Sequence, residues 1–485
     1  MSCQPANAST SSAQHLLVAS HKSLTAISDM QTTAIYDSNS MVVSLLDLPF
    51  PPVSKEELQT ALVSATKGVN LSQSSPLKLP VLNSAFGPLM DRSVSGSLSR
   101  LTLNIANACN LWCSYCYADH GTYHTPVSLM TPEQAVAIVG RCLTTYPSIR
   151  SIQFFGGEPL LNPMAIEAVC LFLEKQLGSK CPEFTATTNG TILDEKLERI
   201  LQRFNFSLTI SVDGPAQIHD QLRPAKAGAS SHVMILRNIE RLRKLGIAID
   251  FECTYTFAHH RMGISVCDLL DYFSDEIGET NPHIAWSYLP KPKPAFDRAE
   301  KSLGIFRDDL EAQSRQHIPV EILSEQFRAA ARKSMQNIAL GNGSALTFVI
   351  GVLERLKRQQ PTSVYCPAFT TQLSISANGT AYPCFMFIGD ARMKLGNILD
   401  PGFPDKQAAD IWEMYRSGLG GYTTGTTAWY AALVSGCVAG DYISTGGFSE
   451  RLYEPVQEAM IEEIILGLAQ YYKADQPKGG KSNGA

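Results

Sequence analysis

Three cysteines, Cys109, Cys113 and Cys116, share one short segment in the spacing C-x3-C-x2-C. Four Cys thiolates usually hold an iron-sulfur cluster, so three of them leave one iron of a 4Fe-4S cluster open to another ligand. A structural zinc site with His120 or His124 as the fourth ligand is the alternative. Structural zinc ligands usually come as two pairs separated by a spacer, whereas these residues crowd into one stretch. The spacing therefore favours a 4Fe-4S cluster with an open iron.

A second set of cysteines, Cys366, Cys384 and Cys437, lies in the C-terminal third of the chain. Residues 371–384 are typical of a β-hairpin with Asn-Gly at its turn, which brings Cys366 and Cys384 to its two flanks. We expect one auxiliary 4Fe-4S cluster here, with zinc or buried structural cysteines as alternatives. The fourth ligand is either a non-Cys side chain such as Asp441 or the thiolate of a substrate.

Strand-like runs alternate with helix-like runs from residue 100 onward. Helices predicted at 131–145 and 162–177 lie between strands, and this alternation indicates parallel βα units. Six units predict an α/β fold with an open, partial (βα)6 barrel. The loops after the strands meet at one end of such a barrel, so the Cys109 segment, which follows the first strand, belongs at its mouth. The predicted strands are 100–105, 151–155, 184–187, 207–212, 248–256 and 283–287.

Smaller modules flank the predicted barrel. Short β-like runs at 16–20, 32–36 and 41–46 precede a helix at 54–66, where Ser54 and Glu57 are typical of a capping box. The charged stretch 295–336 reads as a solvated helical surface, and 454–472 as an amphipathic helix packed on the core. The predicted organisation is a disordered segment 1–14, an N-terminal α/β module 15–96, the barrel 97–335, an auxiliary iron-sulfur domain 336–472 and a disordered tail 473–485.

The composition is that of a globular protein. The 485 residues are 44% hydrophobic and 18% charged, and this length favours two to four domains. A net charge of -5 argues against nucleic acid as the main partner. We find no signal peptide and no 18-residue apolar run, so we expect a cytoplasmic protein without a membrane span. In a reducing compartment the 12 cysteines are metal ligands or core thiols, and five are expected to be buried: Cys142, Cys170, Cys181, Cys253 and Cys267.

Short polar and Gly-rich motifs follow three of the predicted strands. They are Gly156-Gly157-Glu158-Pro159, Thr188-Asn189-Gly190 and Asp213-Gly214-Pro215, with Arg223 a little further on. Each motif alone is weak, because glycines at strand ends are commonly just turns. Together with the Cys109 segment, they resemble the radical S-adenosylmethionine (SAM) superfamily over about residues 100–290.

The resemblance implies cofactors and roles for these residues. The open iron would chelate the amino and carboxylate groups of SAM, and an electron from the cluster would cleave SAM to a 5'-deoxyadenosyl radical. Tyr115 would lie near the adenine, Gly156, Gly157 and Glu158 would receive the amino group, Ser211 and Asp213 would lie near the ribose, and Arg223 would pair with the carboxylate. Asn189 completes this expected SAM-binding set. The resemblance assigns no catalytic residue.

The second set of cysteines resembles the beginning of SPASM and twitch domains, which carry auxiliary clusters in radical SAM enzymes. It departs from the full SPASM pattern because Cys437 is the only cysteine after Cys384. The chain is most similar to peptide-modifying enzymes, and among them to the maturation family of quinohemoprotein amine dehydrogenase. That resemblance implies thioether bonds between Cys sulfur and Asp or Glu methylene carbons in the small dehydrogenase subunit, with the auxiliary cluster accepting an electron.

The resemblance also implies partners and leaves alternatives. The partners are a small Cys-containing peptide or protein substrate and an electron donor such as flavodoxin or ferredoxin. The N-terminal module either pairs a leader strand with its sheet edge or is a packing extension. The alternative activities are formylglycine formation and carbon-carbon cross-linking, and a more distant alternative is a non-catalytic zinc or iron-sulfur scaffold.

Overall fold

The computed structural model describes most of the chain. The described residues are 16–29, 31–45, 52–68, 98–226, 228–289, 316–360, 366–368, 370–405, 408–411, 413, 428–448 and 450–475. The predicted disordered segment 1–14 and most of the predicted tail lie outside them. Within them, no helix is both long and apolar enough to cross a membrane.

An antiparallel four-stranded meander opens the described chain. Its strands are β1 (Leu17–His21), β2 (Leu24–Ser28), β3 (Thr33–Asp37) and β4 (Val42–Leu45), followed by helix α1 (Lys55–Gly68). The sequence pattern missed β2, because the turn before it is formed by Lys22 at φ 56° without a Gly, Asn or Pro signal. Glu57 donates its backbone N–H to the Ser54 hydroxyl at the start of α1, as the predicted cap requires.

Six parallel strands form the predicted partial barrel, and their order in the sheet is their order along the chain. Helices follow each of the first five strands, and a short strand β6 pairs with β5. The strands are β5 (Arg100–Asn107), β7 (Ser151–Gly156), β8 (Glu183–Thr188), β9 (Ser207–Ser211), β10 (Ala248–Tyr255) and β11 (His283–Trp286), with β6 at Ser128–Leu129. The helices are α2 (Pro132–Thr145), α3 (Pro163–Leu177), α4 (Glu195–Arg203), α5 (Ala216–Leu222), α6 (Ser231–Lys244), α7 (Phe257–Arg261) and α8 (Val266–Tyr272). Strand β5 is buried along nearly its whole length, as expected for a parallel strand covered on both faces.

The hairpin predicted around residues 371–384 is present, but it belongs to the barrel sheet. Its strands are β12 (Gln372–Ile375) and β13 (Ala381–Tyr382), with Gly379 at φ 85° in the turn. Strand β12 pairs in parallel with β5, in the register Gln372↔Arg100. The hairpin thus covers an edge of β5 that would otherwise be open.

Four helices complete the described C-terminal half. They are α9 (Val320–Ala339), α10 (Thr347–Arg358), α11 (Val438–Thr445) and α12 (Glu454–Asp475). Helix α12 packs on α9 and also against strands β2, β3 and β4. It therefore joins the end of the described chain to the N-terminal sheet.

The expectation of a solvated helical surface at 295–336 does not hold for one face of its described part. Helix α9 begins at Val320 and buries Leu323, Phe327 and Ala331. Its arginines are not free surface charges either, because Arg332 donates two hydrogen bonds to the buried Glu463 of α12, at 3.0 and 2.7 Å. The charge pattern reflects an interhelical contact, and residues 290–315 lie outside the described chain.

Candidate functional site

The segment carrying Cys109, Cys113 and Cys116 directly follows β5 at the mouth of the barrel. A strand-like stretch after α5 holds it: Leu111 and Ala225 form an antiparallel bridge, and the Trp112 amide donates to the Pro224 carbonyl at 2.9 Å. Trp112 itself remains 49% exposed. The segment is therefore fixed at its middle while one aromatic side chain faces outward.

The three thiols of this segment lie close enough to affect one another. Burial raises the pKa of Cys109 to about 11. Burial also raises the pKa of Cys113, and the charges of Cys116 and Cys109 add to that effect although Arg223 opposes it. Within the described residues no three His, Cys, Asp or Glu side chains are already arranged around a metal position. The donor chemistry of three neighbouring thiols fits an iron-sulfur cluster, and the ligand set stays a prediction.

The histidines considered for a zinc site have other contacts. His124 lies 3.5 Å from Asp119 with its side chain 72% exposed. The His120 ring packs on Trp112, with 4.3 Å between the ring centroids. These contacts do not favour the zinc alternative.

The Gly156-Gly157-Glu158 motif packs its main chain directly on the cysteine segment. The Gly157 amide donates to the Ala106 carbonyl and the Glu158 amide to the Ala108 carbonyl, both at 2.8 Å. A Cβ atom on Gly157 would stand 2.6 Å from the Ala108 carbonyl carbon and 2.7 Å from Gly121 Cα. The glycine is needed because backbone approaches backbone here.

Glu158 is fully buried and its carboxylate accepts three hydrogen bonds. It accepts hydrogen bonds from the Leu160 amide at 3.0 Å, from the Thr188 hydroxyl at 2.7 Å and from the Asn189 amide at 2.7 Å. Burial raises the pKa of Glu158 to about 7, although these hydrogen bonds oppose the change. Asn189 in turn donates to Asn110 at 2.9 Å. The two residues connect the ends of β7 and β8 to the cysteine segment, and their contact with SAM stays a prediction.

Asp213 is the centre of a buried polar network. Its carboxylate accepts from the Tyr115 hydroxyl at 2.5 Å, from Arg223 Nε at 2.8 Å and Nη2 at 3.3 Å, and from the Thr254 amide at 3.0 Å. Although burial opposes it, the Arg223 charge holds the pKa of Asp213 below its usual value. The nearby Ser211 hydroxyl donates to Glu252 at 2.7 Å. The structure therefore brings Tyr115, Asp213 and Arg223 together, and their contacts with SAM stay a prediction.

Two buried histidines hold the main chain of Asp213. His219 Nδ1 accepts from the Asp213 amide at 3.1 Å. His259 Nε2 donates to the Asp213 carbonyl at 2.8 Å, and its Nδ1 accepts from the Thr256 amide. Burial lowers the pKa of both histidines, that of His219 to about 4, so both stay neutral and keep an accepting nitrogen. The sequence motifs gave no signal for these contacts beyond the position of the two histidines after β9 and β10.

The second set of cysteines also comes together. Burial raises the pKa of Cys384 to about 12, and the charge of Cys366 adds to it. Burial raises the pKa of Cys437 as well, followed by the charges of Cys366 and Cys384. Cys437 caps α11 and accepts from the Gly440 amide at 3.3 Å. The pKa of Tyr288, just beyond β11, is raised by burial and then by Cys437 and Asp441, so this set faces the last barrel strand.

The two cysteine sets are neighbours across a half-buried aromatic contact. Tyr117 directly follows Cys116 and Phe385 directly follows Cys384, and their ring centroids are 6.5 Å apart. Phe155 at the end of β7 packs on Phe385 with 4.3 Å between centroids. Burial raises the pKa of Tyr117, and the charges of Cys116 and Cys384 both contribute. One thiol from each set therefore affects the pKa of the same phenol.

The remaining described cysteines form no disulfides. Cys142, Cys170 and Cys253 are buried as expected. The prediction of burial is wrong for Cys181 and Cys267, which are only half-buried, because Cys181 lies in the connection before β8 and Cys267 lies in the first turn of α8.

Comparison with known proteins agrees with this geometry. A model of the Radical SAM superfamily matches residues 103–259, which hold the Cys109 segment and the Asp213 network. This part of the chain is similar to a radical SAM domain. The cofactors of such a domain are a 4Fe-4S cluster and SAM, and the neighbouring thiols and polar strand ends fit them.

Relatives with sequence similarity differ in how much of the chain they match. An uncharacterized protein of Methanocaldococcus jannaschii is 31% identical over 150 residues, which is 31% of this chain and 50% of that protein. The chain thus spans half the length of that relative. A cysteine-type anaerobic sulfatase-maturating enzyme of Clostridium perfringens is 23% identical over 309 residues, covering 62% of this chain and 78% of the enzyme. The radical SAM cyclopropyl synthase TigE of Paramaledivibacter caminithermalis is 26% identical over 37% of this chain and 38% of its own length.

Solved structures extend the likeness beyond the radical SAM domain. Native anSMEcpe with bound AdoMet superposes with a TM-score of 0.62 and 20% identity, covering 78% of this chain and 99% of that one. The same protein with bound AdoMet and the Cp18Cys peptide gives a TM-score of 0.60. At this identity the likeness concerns the fold.

Proposed function

We propose that the protein is a radical SAM enzyme that modifies a side chain of a peptide or protein. The observation that carries this proposal is the adjacency of the two cysteine sets, through the 6.5 Å contact between Tyr117 and Phe385 at the barrel mouth. A second redox site beside the SAM site suits a reaction that removes a hydrogen atom and then a further electron. The radical SAM domain and the likeness to a peptide-bound structure add support.

The proposed roles of the residues follow from their positions in the barrel. When bound, the reduced cluster and SAM supply a 5'-deoxyadenosyl radical that abstracts a hydrogen atom from the substrate, and the protein orients both. Cys109, Cys113 and Cys116 are the proposed ligands of the SAM cluster, reduced by a donor such as flavodoxin or ferredoxin. The residues proposed to line or support the SAM pocket are Tyr115, Gly156, Gly157, Glu158, Asn189, Ser211, Asp213 and Arg223.

For the specific reaction, we propose thioether formation between a Cys sulfur and an Asp or Glu methylene carbon in the small subunit of quinohemoprotein amine dehydrogenase. Forming the sulfur-carbon bond would require the methylene to lose a hydrogen atom, which the bound SAM cofactor would accept, and the thiol to lose its proton. One electron must then leave, and an auxiliary 4Fe-4S cluster on Cys366, Cys384 and Cys437 is the proposed acceptor. Three thiols leave one iron for the substrate thiolate, with Asp441 as the competing ligand.

Formylglycine formation is the second candidate activity. The comparison that favours it is the sulfatase-maturating enzyme of Clostridium perfringens, which the chain matches over 62% of its own length. That reaction is also an oxidation beyond hydrogen abstraction, so the paired cysteine sets suit it equally. The two activities differ in the product, because one keeps the substrate sulfur and the other replaces a side-chain group by an aldehyde.

Mass spectrometry of a co-expressed substrate peptide separates these activities. A thioether removes two hydrogens per site and leaves the affected Cys resistant to alkylation, whereas formylglycine reacts with a hydrazide. Production of 5'-deoxyadenosine by the reduced, reconstituted protein tests catalysis itself. If SAM is not cleaved under reducing conditions, the scaffold alternative replaces the enzyme.

Iron analysis tests the two ligand sets separately. Replacing Cys109, Cys113 and Cys116 together by Ala should remove the iron and sulfide of one cluster, and replacing Cys366, Cys384 and Cys437 should remove those of the other. Cys170→Ala is the matched control, since this buried thiol lies on α3 outside both sets. An unchanged iron content in either triple variant would show that its cysteines are not ligands.

We also propose that the N-terminal sheet binds a leader segment of the substrate at the outer edge of β1. Helix α1 packs on β1 and β2, and α12 packs against β2, β3 and β4, so both sheet faces are in use. In the described chain β1 pairs only with β2, and its other edge can accept a strand. Deleting the module would expose α12, so proline substitutions at Leu17 and Val18 are the better test. One of these two neighbouring amides points outward, and proline at that position should lower peptide affinity while the pairing of β1 with β2 and SAM cleavage persist.

A further inference from the structure

The Asp213 carboxylate has no capacity left for a ligand. It is fully buried and accepts four hydrogen bonds, from Tyr115, from two nitrogens of Arg223 and from the Thr254 amide. An ionised carboxylate offers about four acceptor positions. A ribose hydroxyl could bind here only by displacing one of these donors, so the geometry does not favour a ribose contact.

The four donors come from three separate parts of the barrel. Tyr115 belongs to the cysteine segment after β5, Arg223 follows α5, and Thr254 lies on β10. The main chain of Asp213 is held in addition by His219 and His259. One side chain therefore ties the cysteine segment to the ends of β9 and β10.

Arg223 is bound to Asp213 along one edge of its guanidinium. Nε and Nη2 donate to the carboxylate, and the group lies 5.4 Å from the centroid of the Tyr115 ring. Within the described residues no hydrogen bond is found for Nη1. Because the guanidinium is planar with five fixed donors, a carboxylate fixed on one edge determines the direction of the other edge. The open edge is the part of Arg223 that remains for a ligand.

We propose that Asp213 is a positioning residue that aligns Arg223 and the cysteine segment, and that it does not bind the ribose. This inference rests on the proposed SAM site. Asp213 acts on SAM through Arg223, whose open edge faces the ligand, and on the cluster through Tyr115. A purely structural ion pair would hold the fold without setting the affinity for SAM.

A thermodynamic cycle between protein and ligand separates positioning from direct contact. The affinities of wild type and Asp213→Asn are measured with cluster-loaded protein for SAM and for SAM analogues lacking the 2'- or 3'-hydroxyl. We expect Asp213→Asn to weaken SAM about tenfold and the loss from each missing hydroxyl to be the same in both proteins, so that the factors multiply. If the hydroxyl matters in wild type but not in the variant, Asp213 binds the ribose and the inference is wrong. An unchanged SAM affinity would also overturn it, because only a structural ion pair would remain.

Tyr115→Phe tests the link to the cysteine segment while keeping Asp213. This variant removes one hydroxyl from the network, and we expect a strong chelator to extract the cluster iron about threefold faster, since one hydrogen bond is lost. Tyr255→Phe is the matched control, because its hydroxyl donates to the Ile264 carbonyl outside the network. Equal release from both variants would overturn the proposed link. Failure of wild type to bind SAM would instead refute the proposed function.

Discussion

Replacing Gly157 by alanine is expected to loosen the cysteine segment severely. The new Cβ would lie 2.6 Å from the Ala108 carbonyl carbon and 2.7 Å from Gly121 Cα. Both neighbours are main-chain atoms, so no side chain can rotate away. Overpacking of this kind costs about 1–3 kcal/mol, and the two hydrogen bonds from Gly157 and Glu158 to the segment contribute about 1 kcal/mol each. We therefore expect the free energy of local unfolding of the cysteine segment to fall by about 3 kcal/mol.

Hydrogen exchange measures this loss where it occurs. A local change of about 3 kcal/mol corresponds to roughly hundredfold faster exchange of the amides of residues 105–121, and cluster loading should fall with it. Gly140→Ala is the control, because its Cβ would meet a Phe172 ring carbon at 3.5 Å, an ordinary contact. That substitution lies within α2 and should stabilise the helix by about 0.5–1 kcal/mol. Unchanged exchange in Gly157→Ala would refute the close packing between the two segments.

Three further outcomes are expected. Folding lowers the pKa of His219 from 6.5 to about 4. The neutral, buried side chain therefore makes its full contribution to the free energy of unfolding above pH 6.5, and this contribution is lost as the pH falls toward 4. The variant His219→Asn keeps an acceptor for the Asp213 amide but does not titrate. When the pH is lowered from 7 to 5.5, its free energy of unfolding, measured by thermal unfolding, should fall by about 1 kcal/mol less than that of wild type. Parallel pH profiles of the two proteins would contradict this. Glu463→Gln should lower the free energy of unfolding, measured in urea, by about 2 kcal/mol because two arginines of α9 lose a buried partner. Lys244→Ala, which breaks an exposed pair, should lower it by less than about 1 kcal/mol. Similar costs would contradict the buried contact. Trp112 emission should be quenched by cluster loading, and a Trp112→Phe protein showing the same quenching would place the cluster elsewhere.

The barrel could be predicted from sequence because its signals are local. Strand β7, for example, is a short and largely apolar run that ends at a Gly-rich motif, in Ser151–Gly156. The N-terminal strand Leu24–Ser28 was missed because the turn before it uses a lysine in the left-handed region. The sequence predicted the hairpin at residues 371–384, but its pairing with β5 is a contact between distant segments that no local pattern encodes.

The candidate site was also predicted only in part from the sequence. The residue types of Tyr115, Asp213 and Arg223, and their places in the segments after β5 and β9, were visible in the motifs. Their mutual hydrogen bonds were not, because they depend on how three loops approach one another. The motifs suggested that Asp213 faces a ligand, whereas the structure surrounds it with protein donors. The role of His219 was hidden for the same reason, since a buried histidine and a surface histidine look alike in one sequence.

The pairing of β12 with β5 has a consequence for the order of events during synthesis. The Ser99 hydroxyl, just before β5, donates to the Thr371 carbonyl, 272 residues further along the chain. At about 5–20 residues per second, the ribosome needs roughly 15–50 s to make that distance. For most of this interval β5 and its cysteine segment have left the ribosome, while the edge of β5 that later pairs with β12 is uncovered. A chaperone or an iron-sulfur carrier therefore has a period in which to reach the first three cysteines before the hairpin and Cys384 arrive beside them.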